Sequence, residues 1–225
     1  MPDNQNQPNL HYAIQNSAPP ADTSHIQRKF LDISYANLSN SQKLDIYLPE
    51  QGDGPFPVIV SIHGGAFMGC DKADMQVIPM LEGLSRGFAV VAINYRLSGE
   101  ARFPALVQDA RAAVRWIRRN ASRYGFDPDR IVAWGGSAGG YLSSMLAVCP
   151  AVPDLEDPSQ ENGGASCHIQ AAVVWYGPTN FLKMDEQLEE SGLSSPPGFR
   201  HSEENSPESL LLGDTITIIP ERVRA

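Results

Sequence analysis

The stretch Arg130-Ile-Val-Ala-Trp-Gly-Gly-Ser-Ala-Gly-Gly-Tyr-Leu142 decides how the rest of the chain is read. Residues 131–134 have the apolar character of a short buried strand, and 141–148 continue as a helix, so a serine stands at the bend between them. Gly135, Ser137 and Gly139 fit the Gly-x-Ser-x-Gly pattern of a nucleophile elbow. In that turn the serine is strained, and its flanks come so close to strand and helix that only residues without side chains fit. Ser137 is the candidate nucleophile.

Upstream of the elbow, residues 57–62 and 88–93 are nearly continuous apolar runs, as expected of strands covered on both faces in a parallel sheet. Between them Val77, Ile78, Leu81 and Leu84 keep helical spacing, with Gly87 placed to end the helix. From Pro104 to Gly125 the positions Leu106, Ala110, Ala113 and Ile117 predict a long amphipathic helix. Arg111, Arg115, Arg118 and Arg119 on that helix read as a solvated face rather than a ligand patch. Residues 127–130 read as a turn feeding the elbow strand. Before all of these, 30–35 and 43–48 alternate in character around a polar turn and predict an antiparallel opening pair. The expected fold class is α/β, a three-layer sandwich around a mostly parallel sheet with antiparallel N-terminal strands.

Residues 1–25, polar and proline-containing, read as a flexible arm before a domain spanning 26–225. After the elbow helix, 149–166 is a polar surface loop, and 170–175 predicts another buried strand. Residues 181–213 break into short amphipathic pieces, so 180–215 reads as a cap-like insertion over the site. Its one clean helix has Ser206 to cap, Pro207 to open and Gly213 to close. Residues 220–225 look like the start of a further helix.

The 225 residues, 42% hydrophobic, are enough for a sizeable core, and a formal charge of −9 argues against nucleic acid and an anionic membrane surface as partners. Cys70, Cys149 and Cys167 form neither a disulfide framework nor a zinc pattern, which suits a reducing compartment. The polar N-terminus carries no signal-peptide pattern, so cytoplasm is the default expectation. No metal and no organic cofactor are expected, and a homodimer is compatible with the composition.

A serine hydroxyl needs a base, an acid that orients the base, and donors for the developing oxyanion. His63-Gly-Gly-Ala-Phe67 follows directly on a strand and resembles the His-Gly-Gly-Gly loop of esterases and lipases. Its small residues would let the N–H groups of Gly65 and Ala66 face the site, joined by that of Ala138 at the helix start. Gly64 supports the loop, and His63 is expected to shape it rather than to act as the base.

These motifs stand with Asn94-Tyr-Arg-Leu97, Phe103-Pro-Ala105 with Asp109, Arg115-Trp116, Tyr124-Gly-Phe-Asp-Pro128 and Tyr176-Gly-Pro-Thr179. Together they resemble the esterase/lipase branch of the α/β-hydrolases, and more narrowly the acetyl-xylan and feruloyl esterase-like carboxylesterases. The resemblance covers about residues 28 to 225. It implies a serine hydrolase acting on small carboxylic esters through an acyl-enzyme. A related amide hydrolase of the arylformamidase kind, or an inactive fragment or binding module, are the alternatives. Two positions depart from the pattern: Ala66 replaces the third glycine, and Asn180 stands where relatives often carry Asp.

Downstream of Ser137 only His168 and His201 are available as the base. His168 precedes a strand and so belongs at the wrong end of the sheet. His201 in the cap, with Asp185 or Glu189 before it, would make a rearranged triad with no parallel strand to position it. The triad acid and histidine are therefore expected beyond residue 225. A fold lacking its last strands and helices would expose a sheet edge, since each crossover unit takes roughly 30 residues.

Overall fold

Along β3 (Phe56–Ile62), Val58, Val60 and Ile62 enter one apolar cluster and Ile59 enters another, so both faces of the strand are covered. β4 (Ala89–Ile93) divides in the same way, with Val91 and Ile93 on one side and Val90 and Ala92 on the other. A two-residue period with both faces apolar is what a central parallel strand requires. The computed structural model describes residues 18–149, 152–157, 164–193 and 200–224.

The sheet runs β1-β2-β4-β3-β5-β6, with β1 (Lys29–Ser34) and β2 (Lys43–Tyr47) antiparallel and β5 (Phe126–Gly136) and β6 (Ala171–Trp175) parallel to β3 and β4. This is the expected three-layer α/β architecture. From β3 the chain passes to β4 on one side, then crosses back to β5 on the other side and continues outward to β6. The loops leaving β3 and β5 therefore diverge, which opens a crevice at the carboxyl ends of those two strands.

The helix Ala105–Arg119 packs Leu106, Ala110, Ala113, Val114 and Ile117 onto one face of the sheet, beside the elbow helix Ala138–Val148. On the opposite face the predicted helix around Val77 to Leu84 breaks into short 3-10 and α turns, Met75–Val77, Ile78–Leu81 and Glu82–Arg86. Pro79, in the first turn of Ile78–Leu81, lacks the N–H that would join that turn to Met75–Val77, and Gly87 at φ 80° ends the series as the spacing predicts. Residues 127–130 lie inside the span of β5, but the register with β3 jumps from Phe126 to Ile131, so they leave the ladder as an irregularity.

Several expectations change. The first 17 residues of the proposed arm lie outside the described residues, but its last part is tied down. Ala21 donates to the Ala73 carbonyl at 2.8 Å and Met75 to that of Pro19 at 2.8 Å, while Ile26 is buried. Three of the helix arginines are not a solvated face. Arg111, 1% exposed, donates to the carbonyls of Cys149 and Val152 and pairs with Glu156. Arg115 reaches Ala165 and Glu156, and Arg118 holds the carbonyls of Pro128, Ser166 and His168. They strap the loop that follows the elbow helix onto the long helix. Polar spacing alone could not distinguish water from a distant loop carbonyl as the partner. β6 is not a buried strand: it is the sheet edge, with Val173, Val174 and Trp175 between 37% and 41% exposed.

In the cap-like stretch, Ser206 accepts the Ser209 N–H at 3.1 Å, Pro207 opens the helix Pro207–Leu212 and Gly213 closes it at φ 81°. Leu211, Leu212, Ile216 and Phe181 join the main core. Among the described residues no helix is long and apolar enough to cross a membrane.

Replacing Arg111 by Ala orphans two loop carbonyls, and the expected loss is about 2–3 kcal/mol. Urea unfolding of wild type and variant measures this, and equal midpoints would show that the strap carries no stability.

Candidate active site

Ser137 follows directly on β5 and has φ 54° and ψ −122°, a region that a side-chain-bearing residue occupies only when its surroundings enforce it, at about 1–3 kcal/mol. The enforcement is steric. A β-carbon on Gly139 would lie 2.0 Å from the Ile62 carbonyl oxygen, and one on Gly135 would lie 2.4 Å from the Gly139 carbonyl carbon. The elbow helix thus sits directly on the end of β3, with no room for side chains at either glycine. Ser137 donates its own N–H to the Trp175 carbonyl at 2.9 Å, which ties the bend to β6.

The loop after β3 lies alongside. A β-carbon on Gly64 would be 3.4 Å from Ser137 Cβ and 2.9 Å from the Gly136 carbonyl oxygen. The next three residues all have positive φ: Gly65 at 113°, Ala66 at 52° and Phe67 at 63°. The Gly65 carbonyl accepts from the amides of Met68 at 2.9 Å and Gly69 at 3.1 Å, which curls the loop on itself. Among the described residues, the N–H groups of Gly65, Ala66 and Ala138 have no hydrogen-bond partner. Unpartnered amides beside a nucleophile are the arrangement that can receive a developing oxyanion.

His63 is buried, and burial lowers its pKa below 6.5. Its Nδ1 bonds the Gly64 carbonyl at 2.7 Å, and its ring stacks on Tyr95 at 4.5 Å between centroids. Tyr95 donates its hydroxyl to the His63 carbonyl at 3.0 Å. All of the residues singled out around the two motifs therefore meet at the carboxyl ends of β3 and β5. The two later histidines do not join them, as expected for His168 and for the rearranged triad at His201. His168 is exposed before β6, at the opposite end of the sheet. His201 bonds Glu208 through Nδ1 at 3.0 Å, whereas Asp185 accepts backbone N–H groups of His201 and Ser202 and Glu189 pairs with Arg200. The rearranged pairing of His201 with Asp185 or Glu189 through its ring is thereby replaced by a pairing with Glu208.

Four polar residues that the motifs did not single out for a role surround the loop. Asn94 donates to Asp71 at 2.6 Å and accepts the Lys72 N–H at 2.6 Å. Gln76 accepts the Gly64 N–H at 2.8 Å. Asp74 accepts from the Gln76 side chain and backbone. Beside them, Lys72 is buried and paired with Asp32 at 2.8 Å and Asp45 at 3.1 Å. Arg96, next after Tyr95, makes a bidentate pair with the fully buried Asp109. The signal for Asn94 and Arg96 lay in the Asn-Tyr-Arg-Leu run; Gln76 had none, because a lone glutamine in a loop predicts nothing.

A strained serine between strand and helix, faced by a glycine loop across a parallel-sheet crevice, defines an α/β-hydrolase of the esterase type. The BD-FAE family model matches residues 44–225, and the chain belongs to that family. The chain is 37% identical over 160 residues to "Probable carboxylic ester hydrolase LipM" of Mycobacterium tuberculosis, a match covering 70% of this chain and 36% of that protein. A solved "truncated form of carbohydrate esterase from gut microbiota" is 32% identical with a TM-score of 0.69, covering 87% of this chain and 68% of that one. Esterase 2 of Thermogutta terrifontis, solved as the adduct "phosphonylated by sarin", is 27% identical with a TM-score of 0.62, covering 85% and 69%. The chain spans a little over a third of the length of two curated esterase relatives that it matches, at 36% and 38%.

The hydrogen bond to Glu208 raises the His201 pKa above 6.5 against the opposing effect of burial. A raised folded-state pKa means that the pairing stabilises the segment around His201 and Glu208 fully below pH 6.5 and that this is lost as pH rises through the shifted value. Hydrogen exchange over 200–212, corrected for intrinsic rates, is expected to quicken as pH rises above 6.5, and more in wild type than in His201→Gln. Equal pH responses would contradict the role.

Proposed function

We propose that the protein hydrolyses small carboxylic esters through an acyl-enzyme on Ser137. The observation that carries this reading is the meeting of the strained Ser137 with a loop whose Gly65 and Ala66 amides have no partner among the described residues, close enough that a Gly64 β-carbon would lie 3.4 Å from Ser137 Cβ. A base takes the hydroxyl proton as Oγ attacks the ester carbonyl carbon. The oxygen that gains charge accepts from the N–H groups of Gly65, Ala66 and Ala138, an environment in which each donor is worth about 10²–10³ in rate. Collapse expels the alcohol, which takes the proton, and water then releases the acid by the same steps.

The names of the relatives, carboxylic ester hydrolase and carbohydrate esterase, support ester over other acyl substrates. The phosphonylated neighbour supports a nucleophile that organophosphonates reach. Neither His63, buried beneath the loop with its ring stacked on Tyr95, nor His201, which lies beside Glu208 in the 180–215 stretch, is offered as the base. His63→Asn therefore tests loop shape rather than proton transfer.

Turnover of p-nitrophenyl acetate is expected to fall by about 10³ or more in Ser137→Ala, with fluorophosphonate labelling abolished. Unchanged turnover in that variant would sink the assignment. An aryl formamide assayed beside the ester reports the acyl-transfer class, and a faster formamide rate would move the substrate from ester to amide.

A further inference from the structure

We propose that Gln76 is the positioning residue that decides which amides of the 63–67 loop remain available to the reacting carbonyl. The inference rests on the ester-hydrolase reading of Ser137. Three successive N–H groups, those of Gly64, Gly65 and Ala66, are offered by the loop, and one of them must be removed from competition if the other two are to face a single oxygen. Gln76 removes it. Its Oε1 accepts the Gly64 N–H at 2.8 Å, and it also stands 3.0 Å from where a Gly64 β-carbon would lie, so it fixes both the bond and the clearance.

Gln76 is itself oriented. Its Nε2 donates to Asp74 Oδ2 at 3.0 Å, and its backbone N–H donates to Asp74 Oδ1 at 2.9 Å. A carboxylate on one side and an N–H on the other allow only one direction of the side-chain amide. Asp74 is 4% exposed and also accepts the Asp71 N–H at 3.2 Å, while the chain around it is braced by residues 19–21. The relay thus runs from the N-terminal segment through Asp74 and Gln76 to Gly64, and it meets the loop just before the three residues with positive φ. Strained backbone of that kind persists only where neighbours over-determine it. His63 and Tyr95 hold the loop from the segment after β4, and Gln76 holds it from the Met75–Val77 turn.

Steady-state hydrolysis of p-nitrophenyl acetate, normalised to serines titrated by fluorophosphonate, tests the assignment. In Gln76→Ala, kcat is expected to fall about tenfold or more with KM within about twofold, because the interaction matters only when the oxyanion forms. Gln76→Glu keeps an acceptor for Gly64 but sets a second carboxylate against Asp74, with Asp71 and His63 close by. Its kcat relative to wild type is expected to fall as pH rises from about 5.5 to 8. Adding Asp74→Asn restores a donor and is expected to recover kcat.

A Gln76→Ala variant with kcat within about twofold of wild type overturns the proposal, as does one with a lowered Tm but unchanged kcat per titrated site. Failure of the ester reading is separately visible as a wild type without Ser137-dependent turnover. In that event the Gly64 amide decides: faster hydrogen exchange in Gln76→Ala sustains the anchor, and unchanged exchange removes it.

Discussion

Gly139 rests against the Ile62 carbonyl so closely that a β-carbon would stand 2.0 Å from the oxygen, and the geometry of the site follows from that contact. The helix can start there only if the chain turns within one residue, and Ser137 takes the turn at φ 54°. The strain is retained because both sides of β5 are paired and the Ser137 N–H is bonded to β6. The same contact brings the end of β3 to the nucleophile, so the loop beginning at His63 cannot lie anywhere but beside it. Strand order then supplies the open space, since the chain leaves β3 toward β4 and leaves β5 toward β6.

A loop with three positive-φ residues in succession needs support that its own hydrogen bonds do not supply. The segment that leaves β4 gives much of it with three consecutive residues. Asn94 holds the loop segment at Asp71 and Lys72, Tyr95 lies under His63, and Arg96 locks onto Asp109 of the long helix. Removing either member of the buried Arg96–Asp109 pair would strand the other, which typically costs about 3–5 kcal/mol. The buried Lys72, held by Asp45 and Asp32, ties the loop to the antiparallel strands as well. The amides beside Ser137 are thus set before any substrate arrives, and such preorganisation is what makes fixed dipoles effective in catalysis.

The central fold was legible because its signals are local. Continuous apolar runs marked β3 and β4, three- and four-residue spacing marked the long helix, and glycines marked the two places where backbone meets backbone. Partners distant in sequence were not legible. Arg111, Arg115 and Arg118 looked like solvent-facing charge because they reach loop carbonyls 38 to 50 residues away, at Cys149, Val152, Ala165 and Ser166. β6 looked buried because its composition is apolar; an exposed edge was expected from the count of strands, and the strand order places it at β6. Gln76 was invisible for a related reason: its importance lies in one backbone N–H that folding carries to its side chain.

The central claim is that Ser137 accepts an acyl group whose oxygen lies among the amides of Gly65, Ala66 and Ala138. A crystal structure of the protein after reaction with a methylphosphonyl fluoride tests it most directly. The account predicts phosphorus bonded to Ser137 Oγ, with the phosphonyl oxygen about 3 Å from those three nitrogens. Phosphorus on another residue, or a phosphonyl oxygen turned away from the 63–67 loop, would contradict it.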